Sequence, residues 1–449
     1  MSSPAAAIEA HWALFLPCAA GAQEFLADEV HGLTGLAGQD LLVERAGVYV
    51  RGGWREVMLL NLHSRLAQRV LIELAHAPCP HEDALYALAA SVPWEQWLGP
   101  RHTFRVDVTS HGSAFRSLQF AALRTKDAVA DRFRQRQGQR PSVDTHAPDV
   151  RIHLHLNASH ASLLLDTSGD ALFKRGWRQD KGDAPLKETL AAAMLAACGW
   201  WQPAARHVSP LPLYDPCCGS GTIVIEAAQL ALGLPAGGQR TFAFERLPAF
   251  SAALRQQWQA MKAQATPADP AVGSPVRIFG SDVAHRMADF AQRNAERAGV
   301  AQAVQVRGGD ALQRQPPCAA PGLILMNPPY GERIDIAGSA RSRTGSHAAR
   351  PGQGRERFQT PTLHRSDEAA ADDFFLRLSQ HWKTHFGGWS AWLLTPDRQL
   401  PSRLRLKESR RIPLFNGPIE CRLLRFDLTA RRPAAPAVTP AAAPDERAS

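Results

Sequence analysis

The sequence predicts an α/β protein in which a doubly wound, mostly parallel sheet follows two smaller α+β units. Short apolar strands alternate with helical segments from about residue 185 to residue 430. This alternation is typical of parallel strands joined by helical crossovers. Hydrophobic residues make up 45% and charged residues 21% of the 449 residues, so the chain is long and apolar enough to bury several cores.

The first unit is predicted over residues 1–68. Its pattern is a strand, a helix, two short strands joined at Ala46 and Gly47, and a second helix. No basic region precedes the first apolar stretch, which disfavours a signal peptide. No apolar run approaches the ~18 residues of a membrane-spanning helix, so we expect a cytoplasmic protein that does not enter a membrane.

Cysteine usage supports the same compartment. Seven cysteines are present and none forms a Cys-x-x-Cys pair, so neither a zinc site nor a disulfide framework is predicted. His153 and His155 alternate on one strand, but with no third ligand in view we interpret them as surface residues rather than a metal site.

The second unit, predicted over residues 69–168, contains strands, a hairpin and one strongly basic helix. Within that helix the only acidic partners we expect are Asp127 and Asp131. The net charge of +9 and the sequence pI of about 9.5 also favour a polyanionic partner. We therefore predict a phosphate-binding surface, with a merely solvated helix face as the alternative. Its basic residues are Arg124, Lys126, Arg132, Arg134 and Arg136.

Residues 169–184 are predicted to form a linker, which contains "LFKRGWRQDKGDA". Its basic residues Lys174, Arg175 and Arg178 are predicted to extend the same phosphate-binding surface. Two further stretches are rich in Gly, Ser, Pro, Arg or Ala and are predicted to be disordered, because neither can bury enough apolar surface to offset its chain entropy. These are an insertion at residues 337–368 and a tail at residues 431–449.

The first chemical motif is "LYDPCCGSGT", in which an apolar strand ends at Asp215 and a glycine turn leads into a helix. Gly219 and Gly221 would let the backbone approach a ligand closely. The helix N-terminus behind them offers unpaired N–H groups, and Asp215 can accept hydrogen bonds from a ligand amine or hydroxyl. The spacing differs from both the phosphate-cradling loop and the dinucleotide fingerprint.

Two later strands end in Asp282 and Asp310. Acids at the carboxyl ends of neighbouring parallel strands face the ligand crevice, where one can bind ribose hydroxyls and another an adenine amino group. Either acid alone could be a strand-end turn or a helix cap. Their succession before the next motif favours a shared ligand.

The second motif is "NPPYGER", which follows the apolar strand "GLILM". The amide oxygen of Asn327 and the carbonyl of Pro328 can together accept both hydrogens of a flat, conjugated amine. That arrangement aims the amine lone pair at a methyl sulfonium. Tyr330 supplies a ring on which a base can stack, worth about 1–3 kcal/mol.

Together, "DPCCGSGT" and "NPPYGER" resemble class I S-adenosylmethionine-dependent methyltransferases that modify exocyclic or amide nitrogens. The strings "ALRTKDAVADRF", "LDTSGDALFKRGWR", "APLKETLAAAML" and "RRIPLFNGPIECRL" are similar to the THUMP-containing bacterial 23S rRNA guanine N2-methyltransferases. This resemblance implies a ferredoxin-like domain, a THUMP RNA-binding domain and a Rossmann-like methyltransferase domain over residues 185–430.

The resemblance also implies roles for particular residues. Asp215, Cys217, Gly219 and Gly221 would line the methionine end of S-adenosylmethionine, Asp282 would hold its ribose and Asp310 its adenine. Asn327, Pro328 and Tyr330 would hold the target guanine. The basic residues of the helix and the linker would bind RNA, and no DNA partner is expected.

Three features depart from that family. Asp282 lies 67 residues after Asp215, where about 20 is usual in an α/β unit, so its ribose role is the weakest assignment. The Arg-rich stretch near residues 341–365 is longer than the family needs. Some relatives carry a second methyltransferase domain after the first, and we expect a single modification because this sequence ends without one.

Three alternatives stay open at this point. The same chemistry could act on tRNA, since THUMP domains also serve tRNA enzymes. A protein glutamine could be the substrate, although the basic half disfavours it. A non-catalytic ribosome-assembly factor would bind RNA without turnover, and the intact glycine motif disfavours that.

Overall fold

The computed structural model describes residues 11–112, 115, 117–182, 185–265, 277–328 and 365–429, with side chains described from residue 372 onward in the last range. The insertion predicted at 337–368 falls largely outside the described residues, and the tail predicted at 431–449 falls wholly outside them. Within the described ranges the strands are β1 (Trp12–Pro17), β2 (Leu41–Glu44), β3 (Gly47–Gly52), β4 (Leu71–Pro78), β5 (Thr103–Ser110), β6 (Ser142–Val143), β7 (Val150–Leu156), β8 (His160–Asp166), β9 (Trp201–Gln202), β10 (His207–Val208), β11 (Leu213–Asp215), β12 (Ile278–Asp282), β13 (Val304–Gly308), β14 (Leu323–Met326), β15 (Ser390–Thr395), β16 (Arg410–Asn416) and β17 (Ile419–Asp427).

The α-helices of the same ranges include the charged helix of the second unit and the helix that follows the glycine turn. They are α1 (Gln23–Thr34), α2 (Trp54–His63), α3 (Glu82–Ser91), α4 (Leu118–Gln137), α5 (Glu188–Ala197), α6 (Thr222–Ala231), α7 (Ala252–Ala265), α8 (His285–Arg297), α9 (Arg365–His385) and α10 (Leu400–Leu404).

The first two units share one eight-stranded sheet in the order β2-β3-β1-β4-β8-β7-β5-β6. Strands β1 to β4 with α1 and α2 form the expected ferredoxin-like βαββαβ unit. Strand β4 pairs with β1 on one side and with β8 on the other, so it joins the two units into one sheet. The predicted boundary at residues 68 and 69 lies just before this shared strand.

The second large sheet has seven strands in the order β13-β12-β11-β14-β15-β17-β16. The first five strands of that order are parallel, and β17 runs antiparallel to both β15 and β16. The doubly wound sheet is therefore confirmed. The chain runs from β11 outward to β12 and β13 and then returns to place β14 on the other side of β11, which is the topological switch point where α/β sheets bind ligands.

Helices cover both faces of this sheet because its strands are apolar on both sides. Tyr214, Ile324 and Met326 belong to one buried cluster with residues of α9 and α10. Leu213 and Leu323 pack on the opposite face with residues of α5, α6 and α8. Every residue of α5 is buried, which agrees with its almost wholly apolar sequence, "ETLAAAMLAA". None of the described helices combines the length and the apolar character that crossing a bilayer requires.

A buried ion-pair network joins the ferredoxin-like unit to the second sheet. Glu226 of α6 accepts hydrogen bonds from Arg65, which follows α2, and from Arg175 of the linker, each at 2.9 Å. The three side chains are at most 4% exposed. The prediction that Arg175 contacts RNA is therefore wrong, because its guanidinium is enclosed between two parts of the protein.

Candidate functional site

The glycine turn occupies the space between the end of β11 and the start of α6. Its backbone needs glycine at two positions, since φ is +53° at Gly219 and +90° at Gly221, the residue that caps α6. Positive φ is costly for residues that carry a Cβ atom. The sequence between Asp215 and Thr222 can therefore turn sharply enough to present its N–H groups beyond the strand end.

The two glycines do different things. A Cβ atom built at Gly219 would meet no heavy atom within 4 Å, whereas one at Gly221 would lie 3.0 Å from Cβ of Ala291 in α8. Gly219 thus faces open space, as a ligand-approach residue must. Gly221 also lets α6 and α8 pack closely, which the sequence interpretation did not foresee.

Asp282 lies directly beside this turn in spite of its distance along the chain. Its Oδ2 atom accepts a hydrogen bond from the Gly219 N–H at 2.9 Å, and its Oδ1 atom accepts one from Ala284 at 3.0 Å. Cys218 of the turn also donates its N–H to the carbonyl of Ser281 at 2.9 Å. The long segment between β11 and β12, which includes α7, leaves the pairing of these two strands intact.

Burial governs the ionisation of the two acids beside the turn. Asp215 is 2% exposed, and burial raises its pKa to about 8, with the Cys217 N–H opposing and the Asp282 carboxylate adding to the rise. Burial also raises the pKa of Asp282, although its two backbone hydrogen bonds oppose this. A cation bound near these carboxylates would stabilise their charged forms.

Asp215, Asp282 and Asp310 lie at the carboxyl edge of the sheet, the edge called the switch-point crevice below, and Cys217 is half-buried near all three. Burial raises the pKa of its thiol well above the ordinary value, and the carboxylates of Asp215, Asp282 and Asp310 raise it further. The sulfur therefore stays protonated, and a thiol is a far weaker nucleophile than a thiolate.

Asp310 follows β13 by two residues and is half-buried. Its Oδ1 atom accepts the N–H of Leu312 at 2.9 Å, and its carbonyl accepts the N–H groups of Gln313 and Arg314. These bonds fix a turn at the same edge of the sheet as Asp282, since β12 and β13 are paired in parallel as far as Asp282 and Gly308.

The strand that carries Asn327 is the neighbour of the strand that carries Asp215. Tyr214 pairs with Ile324 in parallel register, so Asn327 emerges at the same carboxyl edge, directly after β14. Asn327 is half-buried and Pro328 is buried. Tyr330 lies outside the described residues.

The linker residue Arg178 contacts the glycine turn at the residues before and after Gly221. Its guanidinium donates to the hydroxyls of Ser220 at 2.9 Å and Thr222 at 2.8 Å, and its Nε atom pairs with Glu188 at 2.9 Å. The sequence interpretation placed Arg178 on an RNA-binding surface. In the structure its guanidinium is instead hydrogen-bonded inside the protein. Lys174 is exposed and pairs with the exposed Asp170.

The basic helix α4 has more acidic partners than its own sequence offers. Arg134 pairs with Asp131 and Lys126 with Asp127, as expected. In addition, Arg124 pairs with Asp83 of α3, and Arg132 makes two hydrogen bonds to Glu95 in a short 3-10 turn at Trp94–Gln96. The expectation that Asp127 and Asp131 are the only acids near this helix is wrong, because α3 and that turn are distant in sequence and adjacent in space.

The residue after Asp282 was not considered in the sequence interpretation. Val283 follows Asp282 and is 47% exposed, although it is apolar. The signal that the sequence offered was an apolar residue directly after a strand-end acid. Within the described residues no three His, Cys, Asp or Glu side chains come together in a way that could hold a metal ion.

Comparison with known proteins agrees with this architecture. Three family models match, described as an RlmL ferredoxin-like domain at residues 13–71, a THUMP domain at residues 79–166 and an RMKL-like methyltransferase domain at residues 175–344. The chain contains a THUMP domain and an RMKL-like methyltransferase domain. The switch-point crevice thus lies in the methyltransferase domain, and α4 lies in the THUMP domain.

Curated relatives carry the name ribosomal RNA large subunit methyltransferase K/L. The protein from Shewanella loihica is 34% identical over 392 residues, which is 86% of this chain and 49% of the relative. The protein from Methylococcus capsulatus is 35% identical over 404 residues, or 90% of this chain and 50% of the relative. This chain therefore spans about half the length of these curated relatives.

A solved structure shows the same fold over nearly the whole chain. The crystal structure of SMU.472 complexed with S-adenosylhomocysteine (SAH) is 25% identical with a TM-score of 0.75. The match covers 94% of this chain and 99% of the other. The predicted succession of ferredoxin-like, THUMP and methyltransferase domains is therefore confirmed.

The ionisation of Asp215 gives a testable pH dependence. Because its pKa is about 8 in the folded protein and ordinarily 3.8, the folded state holds a proton that the unfolded chain loses between these values. The stability from this group is fully present below about pH 4 and is lost as the pH rises through 8. Replacing Asp215 by Asn should therefore raise the free energy of unfolding relative to wild type more at pH 9 than at pH 5, by on the order of a few kcal/mol.

Urea unfolding of the ligand-free proteins at the two pH values measures this difference. Asp289→Asn, at an exposed position of α8, is the control and should show no such pH-dependent gain. An equal effect of Asp215→Asn at both pH values would contradict the protonated, buried state of Asp215.

Proposed function

We propose that this chain binds S-adenosylmethionine at the switch-point crevice and methylates the exocyclic 2-amino group of a guanine in 23S rRNA. One observation carries the proposal. The parallel pairing of β11 with β12 and β14 brings the glycine turn, Asp282 and Asn327 to one edge of one sheet. The proposed cofactor site and the proposed amine-binding strand end would therefore be neighbours.

The residues of the crevice suit this cofactor. Gly219 offers backbone beside open space, and Asp282 keeps free lone pairs for ribose hydroxyls while it holds the turn. Asp310 would accept from the adenine amino group, and the exposed side chain of Val283 would cover an apolar ring face. Asp215 would accept from the ammonium of the methionine end, which would favour its charged form.

Charge in the crevice also fits a positively charged ligand. Asp215, Asp282 and Asp310 all lie close enough to Cys217 to influence its thiol. When bound, S-adenosylmethionine supplies a methyl group on a positively charged sulfur. The protonated thiol of Cys217 would not compete with the substrate amine for that methyl group. SAH in the crystal structure of SMU.472 supports the same choice of cofactor.

Asn327 and Pro328 would orient the amine. Their oxygens would accept the two N–H hydrogens, which points the nitrogen lone pair towards the crevice. No general base is required before the transfer, because the alkylated amine is acidic enough to release its proton to water. A paired or stacked guanine is out of reach, so the base must be flipped out at a cost of about a few kcal/mol. Tyr330 would recover part of that cost by stacking.

The choice of rRNA rests on the relatives and on the THUMP domain. The relatives that match over most of this chain are named large-subunit rRNA methyltransferases. The choice of the guanine 2-amino group as the target rests on the family resemblance of "LDTSGDALFKRGWR" and "RRIPLFNGPIECRL". The tRNA, protein and non-catalytic alternatives become outcomes of the experiment below.

The proposed RNA surface is the outer part of α4. Arg134 is 54% exposed, and both Arg134 and Arg136 lie in the last turn of the helix. Arg124 and Lys126 are less exposed and paired with acids. Arg132 is held twice by Glu95, so it contributes more to the packing of the THUMP domain than to a phosphate contact. Lys174 stays a candidate contact on the linker.

The catalytic part of the proposal is tested with Asn327→Ala. This change should abolish methyl transfer, because the amine loses one of its two acceptors, while SAH affinity and RNA affinity stay close to wild type. Asn416→Ala, at the end of β16, is the matched control and should retain activity. Methyl transfer from labelled cofactor is measured on rRNA, tRNA and protein pools, and mass spectrometry of digested rRNA identifies the modified nucleoside.

Turnover of Asn327→Ala at the wild-type rate would show that the strand end is structural. Methyl label in tRNA or protein but not in rRNA would show that rRNA is not the substrate. Cofactor binding without any turnover by the wild type would favour a non-catalytic assembly factor.

The RNA surface is tested with the double variant Arg134→Ala/Arg136→Ala. Removing two phosphate-binding charges should weaken RNA binding and lower the slope of log K against log salt by up to about two units. SAH affinity should not change. The control removes two exposed charges elsewhere, Arg55 and Arg377, and should leave the slope nearly unchanged. An unchanged slope in the α4 variant would mean that this helix end is only solvated.

A further inference from the structure

Arg178 lies in a basic linker, but its guanidinium binds protein groups around the glycine turn. The guanidinium uses all three of its nitrogens on the protein: Nε on the Glu188 carboxylate, Nη1 on the Ser220 hydroxyl and Nη2 on the Thr222 hydroxyl. A weaker contact of Nη2 reaches the carbonyl of Leu186 at 3.3 Å. The side chain is only 11% exposed, so it is embedded rather than presented to a partner.

The two hydroxyls that Arg178 binds flank Gly221 in the glycine turn. Ser220 is 6% and Thr222 is 5% exposed, and both hydroxyls face the guanidinium. Both hydroxyls accept a guanidinium N–H, and the Thr222 hydroxyl also reaches the carbonyl of Leu186 at 3.5 Å. A planar fork reaches both hydroxyls and a carboxylate at once, which the ammonium of a lysine cannot do.

The turn is thus held at two points by side chains. Asp282 accepts the Gly219 N–H, and Arg178 binds the hydroxyls of the residues before and after Gly221. The same linker is fixed to α8, since Asn294 donates to the carbonyls of both Asp180 and Ser220. Glycine has a wide range of accessible backbone conformations, so these side-chain contacts add to the backbone hydrogen bonds that restrict the turn.

We propose that Arg178 is a positioning residue for the cofactor site: it holds the glycine turn in the conformation that presents the Gly219 backbone to S-adenosylmethionine. The inference rests on the proposed function, because it needs the turn to bind that cofactor. It assigns Arg178 no contact with the cofactor or with RNA. Its effect on binding passes through the hydroxyls of Ser220 and Thr222.

The test separates positioning from a purely structural role. Arg178→Lys keeps a positive charge beside the buried Glu188, so its thermal unfolding should stay near that of the wild type. Because the fork is lost, SAH affinity measured by calorimetry should fall roughly tenfold or more. Ser220→Ala/Thr222→Val keeps the arginine and its carboxylate but removes the hydroxyls, and it should weaken SAH binding by a similar factor.

The combined variant completes a double-mutant cycle. If Arg178 acts through the hydroxyls, adding Arg178→Lys to Ser220→Ala/Thr222→Val should cause little further loss of SAH affinity. Lys181→Met, which removes an exposed charge of the same linker, is the control and should bind SAH like the wild type.

The outcomes distinguish the two proposals. Wild-type protein that binds SAH, with Arg178→Lys binding it equally well, overturns the positioning role and leaves the proposed function intact. Fully additive losses in the cycle also overturn it, because the arginine would then act by another route. Wild-type protein that does not bind SAH at all overturns the proposed function, and the positioning role falls with it.

Discussion

The hydrogen bond from the Gly219 N–H to the Asp282 carboxylate fixes the geometry on which the site depends. It joins two residues 63 positions apart in the chain and ties the end of β12 to the turn that leaves β11. The carboxylate can accept it and still bind another donor, since each oxygen has two lone pairs. Because the strands themselves are paired in register, the long segment between them can vary without moving either residue.

Buried charge is the second constraint, and it connects the domains. Glu226 of α6 lies between Arg65 and Arg175 with almost no solvent around the three groups. Removing Glu226 would leave two buried guanidinium groups without their shared carboxylate, and losing one partner of a buried ion pair typically costs about 3–5 kcal/mol. The hairpin of β16 and β17 adds a second contact between the domains, since the Phe415 N–H donates to the carbonyl of Ala20. The ferredoxin-like unit is therefore fixed against the methyltransferase domain, and the helix behind the glycine turn is part of that junction.

The sequence predicted the elements whose signals are local. The strand-helix alternation, the hairpin of β7 and β8, the buried α5 and the acids at strand ends could all be identified without coordinates. The linker arginines could not, because a basic run has the same appearance whether it faces solvent or is buried. Arg175 and Arg178 meet Glu226 and Glu188 only after the linker has packed against α5 and α6. Asp83 and Glu95 were missed as partners of α4 for the same reason, and Gly221 was assigned to the ligand because its neighbour α8 is far along the chain.

We propose that the crevice at the carboxyl ends of β11 and β14 holds the adenosyl cofactor, with Asp282 on its ribose. A crystal structure of the full chain with SAH tests this most directly. We expect the ribose hydroxyls within hydrogen-bond distance of the Asp282 carboxylate and the amino-acid end of SAH beside Gly219. SAH bound elsewhere on the protein, or bound in the crevice with its ribose away from Asp282, would contradict it.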